Sequence, residues 1–245
     1  MDSPRDDAAA AVRTDADQVS AVGVLGEPTR RAIYEYVAAN GGWVGRDEAS
    51  DSLGLGRATA AHHLDRLVES GLLEADYQRL TARSGPGAGR PAKIYRRAGV
   101  EIGVTLPPRD YELASKLLAR VVEAAGHGEH SVSEAVRSEP AAEGERFAEE
   151  MRTRVKGLGR SADARLQVVL GVLTDHGYEP ARADDSTILL RNCPFHRLAE
   201  QHTDLVCGMN VELLRSAVEG FGRTGYAAEF EPEDGLCCVR LKRSR

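Results

Sequence analysis

The chain has few aromatic residues, 5% of its 245, and one tryptophan, Trp43. It has three methionines and four cysteines, and no cysteine precedes residue 193. No stretch approaches the roughly 20 uninterrupted apolar residues that cross a bilayer. The opening residues, Met1-Asp2-Ser3-Pro4-Arg5-Asp6-Asp7, lack the basic-then-apolar order of a secretory leader. A soluble, cytoplasmic protein that does not enter a membrane is therefore expected. In that reducing compartment four cysteines do not make a disulfide framework, which leaves metal ligation, redox chemistry or burial as small hydrophobes. Phosphate-binding loops are missing too. Neither G-x-G-x-x-G opening a helix nor G-x-x-x-x-G-K-[ST] occurs, so a nucleotide-dependent enzyme is not expected.

With 42% hydrophobic and 29% charged residues, the chain can support two compact domains. Its net charge of -6 is unevenly spread. Residues 1–21 are Ala-rich with net charge -3, residues 22–97 carry +2, and residues 98–245 carry -5. The first of these is expected to be a disordered tail. From Gln78 to Arg97 there are six bases (Arg79, Arg83, Arg90, Lys93, Arg96, Arg97) and no acid. Such a strip can bind phosphate on an otherwise acidic protein.

Within 22–98 the punctuation is that of short helices. Pro28 sits at a first helical position, Ile33, Tyr36 and Val37 follow at helical spacing, and Asn40-Gly41-Gly42 stops the run. A second helix is predicted from about Arg46 to Leu53. Gly54 breaks it before a third, whose stripe is Ala60, Leu64, Leu67 and Val68 and which ends at Gly71. Two short helices joined by a tight Gly-containing turn make a helix-turn-helix, whose second helix enters the major groove by its N-terminal end. There Arg57, Thr59 and His62 point away from the apolar stripe and are candidates for base contact. His62, His63 and Arg66 are equally candidates for phosphate. Leu72–Asp76 and Lys93–Arg96 bracket the Gly-rich run Ser84–Pro91, a predicted hairpin wing whose Arg90 and Lys93 can reach an adjacent minor groove or backbone.

Leu25-Gly26-Glu27-Pro28-Thr29-Arg30-Arg31, Arg57-Ala58-Thr59-Ala60-Ala61-His62-His63-Leu64 and Gly89-Arg90-Pro91-Ala92-Lys93-Ile94-Tyr95 resemble the ArsR-like winged-helix transcriptional regulators over about residues 20–98. The resemblance implies a dimer on a palindromic operator in double-stranded DNA.

Residues 109–157 read as a helical dimerisation or linker region. Tyr111, Ala114, Leu118, Val121, Val122 and Ala125 share one predicted stripe, which needs either the same helix of a second subunit or Phe147, Met151 and Val155 of the next helix. Gly126–Glu139 is polar and is expected to be a loop and hinge.

Residues 160–245 carry the cysteines in a small α+β pattern. Ser161 caps a helix with Leu166, Val169, Leu170 and Leu173 inward, and a hairpin follows whose second strand is Thr187–Asn192. Pro194 at a first helical position makes Cys193 a predicted N-cap, where the helix dipole favours a thiolate. Cys207 starts a helix running from Leu205 to Phe221, and Leu236–Leu241 closes a second hairpin. Strand alternation would send Cys237 and Cys238 to opposite faces, so one of them joins a site, with Cys237 preferred and Cys238 the alternative. The spacing is C-x13-C-x29-C, with His196 three residues after the first cysteine. Three thiolates suit an iron-sulfur cluster with a further ligand or an open iron, and with His196 they would equally make a tetrahedral zinc site of three cysteines and one histidine. A nucleophilic Cys193 with His196 or His202 as base is a further reading without other support. An effector domain for a small molecule, with no metal, is another. The chain is not expected to be an enzyme.

Asn192-Cys193-Pro194-Phe195-His196, Leu205-Val206-Cys207-Gly208-Met209-Asn210 and Cys237-Cys238-Val239 resemble the C-terminal region of SufR-type regulators, winged-helix repressors that contain an iron-sulfur cluster. The resemblance implies a [4Fe-4S] cluster on Cys193, Cys207 and one of Cys237 or Cys238. The whole is therefore expected to be α+β, with an N-terminal winged helix-turn-helix, central dimerisation helices and a C-terminal sensor domain.

Overall fold

A computed structural model describes residues 15–78, 91–128, 130–156 and 161–244. The fold is α+β, with two small antiparallel sheets, and the chain divides into two units, Met1–Val104 and Thr105–Arg245.

The first unit runs α1 (Asp15–Val24), α2 (Pro28–Asn40), β1 (Val44–Gly45), α3 (Arg46–Ser52), α4 (Arg57–Glu69), β2 (Leu73–Gln78) and β3 (Ala92–Arg97). Glu27 caps α2, its two carboxylate oxygens accepting from the Thr29 and Arg30 amides at 2.9 and 2.6 Å. Pro28 costs nothing at the first position, where its missing N–H would have had no helical partner. Gly41 ends the helix at φ 70°, and Gly54 turns α3 into α4 at φ 63°, a region that side chains with a Cβ avoid. The sheet order is β1-β3-β2, with Leu73 opposite Arg97 and Gln78 opposite Ala92. Ile33, Val37, Val44, Leu64, Leu67, Leu73 and Tyr95 fill the core. The expected disordered tail is corrected from Asp15 onward. Its alanines favour helix, Ala21 is buried in this core, and Gln18 accepts a hydrogen bond from the Gly103 amide at 3.1 Å.

The second unit contains α5 (Tyr111–Gly126), α6 (Val132–Arg154), α7 (Ala162–Asp175), β4 (Pro180–Arg182), β5 (Thr187–Leu190), α8 (His196–Gln201), α9 (Thr203–Phe221), β6 (Tyr226–Phe230) and β7 (Val239–Arg243). Its sheet has the order β4-β5-β7-β6. One core joins Leu117, Phe147, Met151, Leu173, Ile188, Leu214 and Leu241, so the central helices and the cysteine-bearing segment are built together.

Two expectations for the centre change. The loop predicted for Gly126–Glu139 is helical from Val132, because Ser131 and Glu134 form a reciprocal capping box. The buried face of α5 is Leu113, Ala114, Leu117 and Val121, while Val122 is 70% exposed. Leu113, Ala114 and Leu117 lie in the core shared with Phe147 and Met151 of α6, the intrachain alternative. Further along, α6 and α9 approach so closely at Gly144 that a methyl there would sit on the Leu213 carbonyl oxygen. It would also lie 2.7 Å from Ser216 Cβ and 2.9 Å from the Ala217 amide nitrogen.

Candidate functional site

The four cysteines come from three segments that the sheet and α9 bring together. β5 and β7 are neighbours, and the ladder extends beyond β7 as the Cys237 amide donates to the Leu190 carbonyl at 2.9 Å. This places Cys237 beside the strand end that leads into Cys193. Cys207 and Asn210 lie three residues apart on α9, both buried, and residues at that spacing share a helix face. Asn210 donates its amide to Cys237 Sγ at 3.3 Å and to Cys238 Sγ at 4.0 Å, and accepts from the buried Tyr178 hydroxyl at 2.5 Å. Cys207, Cys237 and Cys238 are buried, whereas Cys193 is half-buried.

The thiols shift one another's ionisation. Cys193 is pulled down by Cys237, helped by the Phe195 amide and the Arg109 charge, and Cys238 is pulled down to about 6 by Cys237, Cys207 and Asn210. Cys237 is pushed up by Cys193 and Cys238, and Cys207 to about 12 by burial. A lowered thiol favours the thiolate, which is the ligating form. Among the described residues no three His, Cys, Asp or Glu side chains converge as a metal cage.

Three expectations about this cluster are corrected. Cys193 is not an N-cap, because Pro194 and Phe195 form a turn in which the His196 amide donates to the Cys193 carbonyl at 3.1 Å and α8 starts at His196. Cys237 and Cys238 are not split by strand alternation, since β7 begins only at Val239 and the bend before it leaves both sulfurs within reach of Asn210. His196 is half-exposed and paired with Glu200 at 3.2 Å, and is not grouped with the thiols. His202 is exposed at the junction of α8 and α9.

Sequence reasoning missed Asn210, Tyr178, Asn192 and Arg109. Asn210 carried a signal, being a polar residue on the face of α9 that Val211, Leu214 and Val218 make apolar. A buried amide there needs partners, and the sulfurs and Tyr178 are those partners.

In the first unit Arg57, Thr59, His62 and Arg66 are exposed on α4. Arg57 is paired with Asp47 at 2.6 Å and Arg66 with Glu69 at 2.6 Å. His63 is turned inward: its ring accepts from Arg30 Nε at 3.4 Å and lies 3.6 Å from Glu27. Lys93 is tied to Asp65 at 2.6 Å, and the same carboxylate accepts the hydroxyl of buried Tyr95 at 2.9 Å. Its ammonium therefore braces β3 against α4, while Arg90 lies outside the described residues. A groove of about 630 Å³ runs between the starts of α3 and α4 and the β2–β3 pair, lined by Trp43, Arg46, Arg57, Tyr77 and Lys93 among others. No helix among the described residues is long and apolar enough to cross a membrane. Comparison of the chain with protein-family models, curated proteins and solved structures gave no match in any of the three.

Proposed function

We propose that the chain is a homodimeric, cytoplasmic transcriptional repressor that reads a palindromic site in double-stranded DNA with a winged helix-turn-helix. In this reading its affinity for DNA is set by an iron-sulfur cluster held in the second unit. The observation that carries the sensing part is the Asn210 amide donating to both Cys237 and Cys238, with buried Cys207 one turn away on α9 and half-buried Cys193 at the exit of the neighbouring strand. The donor chemistry fits: thiolates are what iron-sulfur centres select, and hydrogen bonds to the sulfurs tune them. Cys193, Cys207 and one of Cys237 or Cys238 would hold the group, which supplies an oxidisable centre whose charge and integrity depend on redox state. The chain's own residues do the rest. Asn210 and the Phe195 amide stabilise sulfur charge, Tyr178 fixes the Asn210 amide, and burial keeps bulk water from three of the four sulfurs. The reading part rests on the exposed Arg57, Thr59 and His62 at the N-terminal end of α4, beside the groove whose charged lining is Arg46, Arg57 and Lys93 with Asp47 and Glu48.

A zinc centre, structural or sensory, is a second reading, which the same thiol donors support. One experiment separates them. Anaerobically purified protein is analysed for iron, labile sulfide, zinc and visible absorption, and its operator binding is measured before and after removal of the metal. About four iron and four sulfide per chain, with DNA affinity changed on their loss, is the expected result. Zinc without iron or sulfide overturns the cluster, and no DNA binding in either state overturns the regulator.

A further inference from the structure

The segment that opens the second unit is docked on the loop that carries Cys193. Arg109 Nη1 donates to the Cys193 carbonyl oxygen at 2.8 Å and to Asn192 Oδ1. Asn192, itself buried, returns its amide to the Pro108 carbonyl at 2.8 Å and to the Gly177 carbonyl at 2.5 Å. The Asp110 amide donates to the Pro194 carbonyl at 3.1 Å, and the Asp110 carboxylate then caps α5 through the Leu113 amide at 2.8 Å. Gly177, at φ 79°, closes the junction, since a Cβ there would stand 3.3 Å from Pro108 and 3.5 Å from Pro194. Three stretches distant in sequence thus meet at one knot: 108–110, 177 and 192–194.

The knot has an unusual composition. Arg109 makes no salt bridge to a carboxylate among the described residues; its guanidinium is held by an amide and carbonyl oxygens. A cation kept beside a thiol by neutral acceptors ties geometry rather than neutralising an acid, because the planar fork fixes direction as well as distance. Every contact is also two-sided. Whatever moves the Cys193 carbonyl moves Arg109, and whatever moves Pro108 moves Asn192.

We infer that Arg109 and Asn192 are positioning residues that lock the Cys193 loop to the entry strap Pro108–Asp110, so that the chemical state of Cys193 and the conformation of the strap are coupled. The strap continues directly from the end of the first unit at Val104, so under the proposed function it is the covalent route by which the cysteine site acts on the DNA-reading unit. Coupling of this kind is reciprocal, and both directions can be measured without DNA or metal.

The full reduced chain is treated with an aromatic disulfide, which forms a mixed disulfide at half-buried Cys193 and releases the aromatic thiolate. Hydrogen exchange at the Asp110 amide is followed before and after. Labelling is expected to raise that exchange at least tenfold in the wild type. In the other direction, Arg109→Ala is expected to raise both the Asp110 exchange and the labelling rate of Cys193, with Arg109→Lys intermediate because its ammonium cannot reproduce the fork. Asn192→Ala serves as the second variant if Arg109→Ala does not fold. Unchanged Asp110 exchange in labelled wild type overturns the coupling with no variant needed, and unchanged Cys193 labelling in a folded variant overturns the role of that residue. Failure of the regulator reading would instead appear as absent DNA binding, which these measurements do not contain.

Discussion

Gly144 is where the helical frame of the second unit is tightest, and replacing it by alanine separates two opposing effects. On propensity alone, alanine in a helix interior is favoured over glycine by about 1 kcal/mol. Against that, the new methyl meets the Leu213 carbonyl oxygen, Ser216 Cβ at 2.7 Å and the Ala217 amide nitrogen at 2.9 Å. Two of those atoms are backbone and cannot rotate away, so α9 has to retreat from α6 until the contacts reach ordinary separation. Overpacking of this kind costs about 1–3 kcal/mol, and the backbone neighbours place this site at the upper end. The expected net destabilisation is about 2 kcal/mol after the propensity gain, a fall of about 6 °C in the melting temperature of a unit this size. Gly171 in α7 is the control, because its Cβ would meet nothing within 4 Å; Gly171→Ala should gain up to about 1 kcal/mol. Calorimetry of the full chain follows both units, and fluorescence of Trp43, the single tryptophan, marks the first unit's transition. Because α9 also carries Cys207 and Asn210, Gly144→Ala should in addition speed alkylation of Cys207. A melting temperature equal to or above wild type for Gly144→Ala would refute the close-packing argument.

Two further outcomes follow from the first unit. Asp47→Asn frees Arg57 from an exposed ion pair that contributes about 0–1 kcal/mol to stability. DNA binding measured by fluorescence anisotropy should therefore tighten severalfold at low salt, less so at high salt, and affinity unchanged at both would show that Arg57 is not at the interface. Burial and the hydrogen bond to Asp65 push the Tyr95 phenol up to about 12, above its value near 10 in an unfolded chain. A raised value stabilises fully below pH 10 and the contribution is lost between pH 10 and about 12. Trp43 fluorescence should report alkaline unfolding in that window, shallower in Tyr95→Phe, and an identical profile in the variant would contradict the assignment.

Helices were legible where punctuation and periodicity agreed. Pro28 and Gly41 bound α2, Gly54 parts α3 from α4, and the Ala60-Leu64-Leu67 stripe is buried as spaced. Where the two disagreed, composition misled. The polar run before Pro140 hid the Ser131–Glu134 capping box, so the start of α6 was read as a loop. His63 sits three residues after Ala60 and one before Leu64, on the flank of that stripe, and its ring turns inward to Arg30 and Glu27. The cysteine site was half legible. Clustering in sequence pointed to it, but period-two reasoning assumed that the strand reached Cys237, and a bend at Cys238, immediately before β7, cannot be read from side-chain types. Lys93 illustrates the opposite limit: its charge was evident, and its partner Asp65, 28 residues away, was not.

The donors of the cysteine site are drawn from a strand exit, a helix interior and a bend. A short-spaced knuckle can be copied as a peptide or grafted into a foreign loop, because its geometry is local. This set has no portable fragment. Cys193, Cys207 and the Cys237–Cys238 pair meet only after β5, α9 and β7 have docked, so the second unit must fold before the thiols are neighbours. Under the proposed function, whatever supplied a cofactor would meet a finished unit rather than a nascent segment, and mutations that slow folding would present as cofactor deficiency with every cysteine intact.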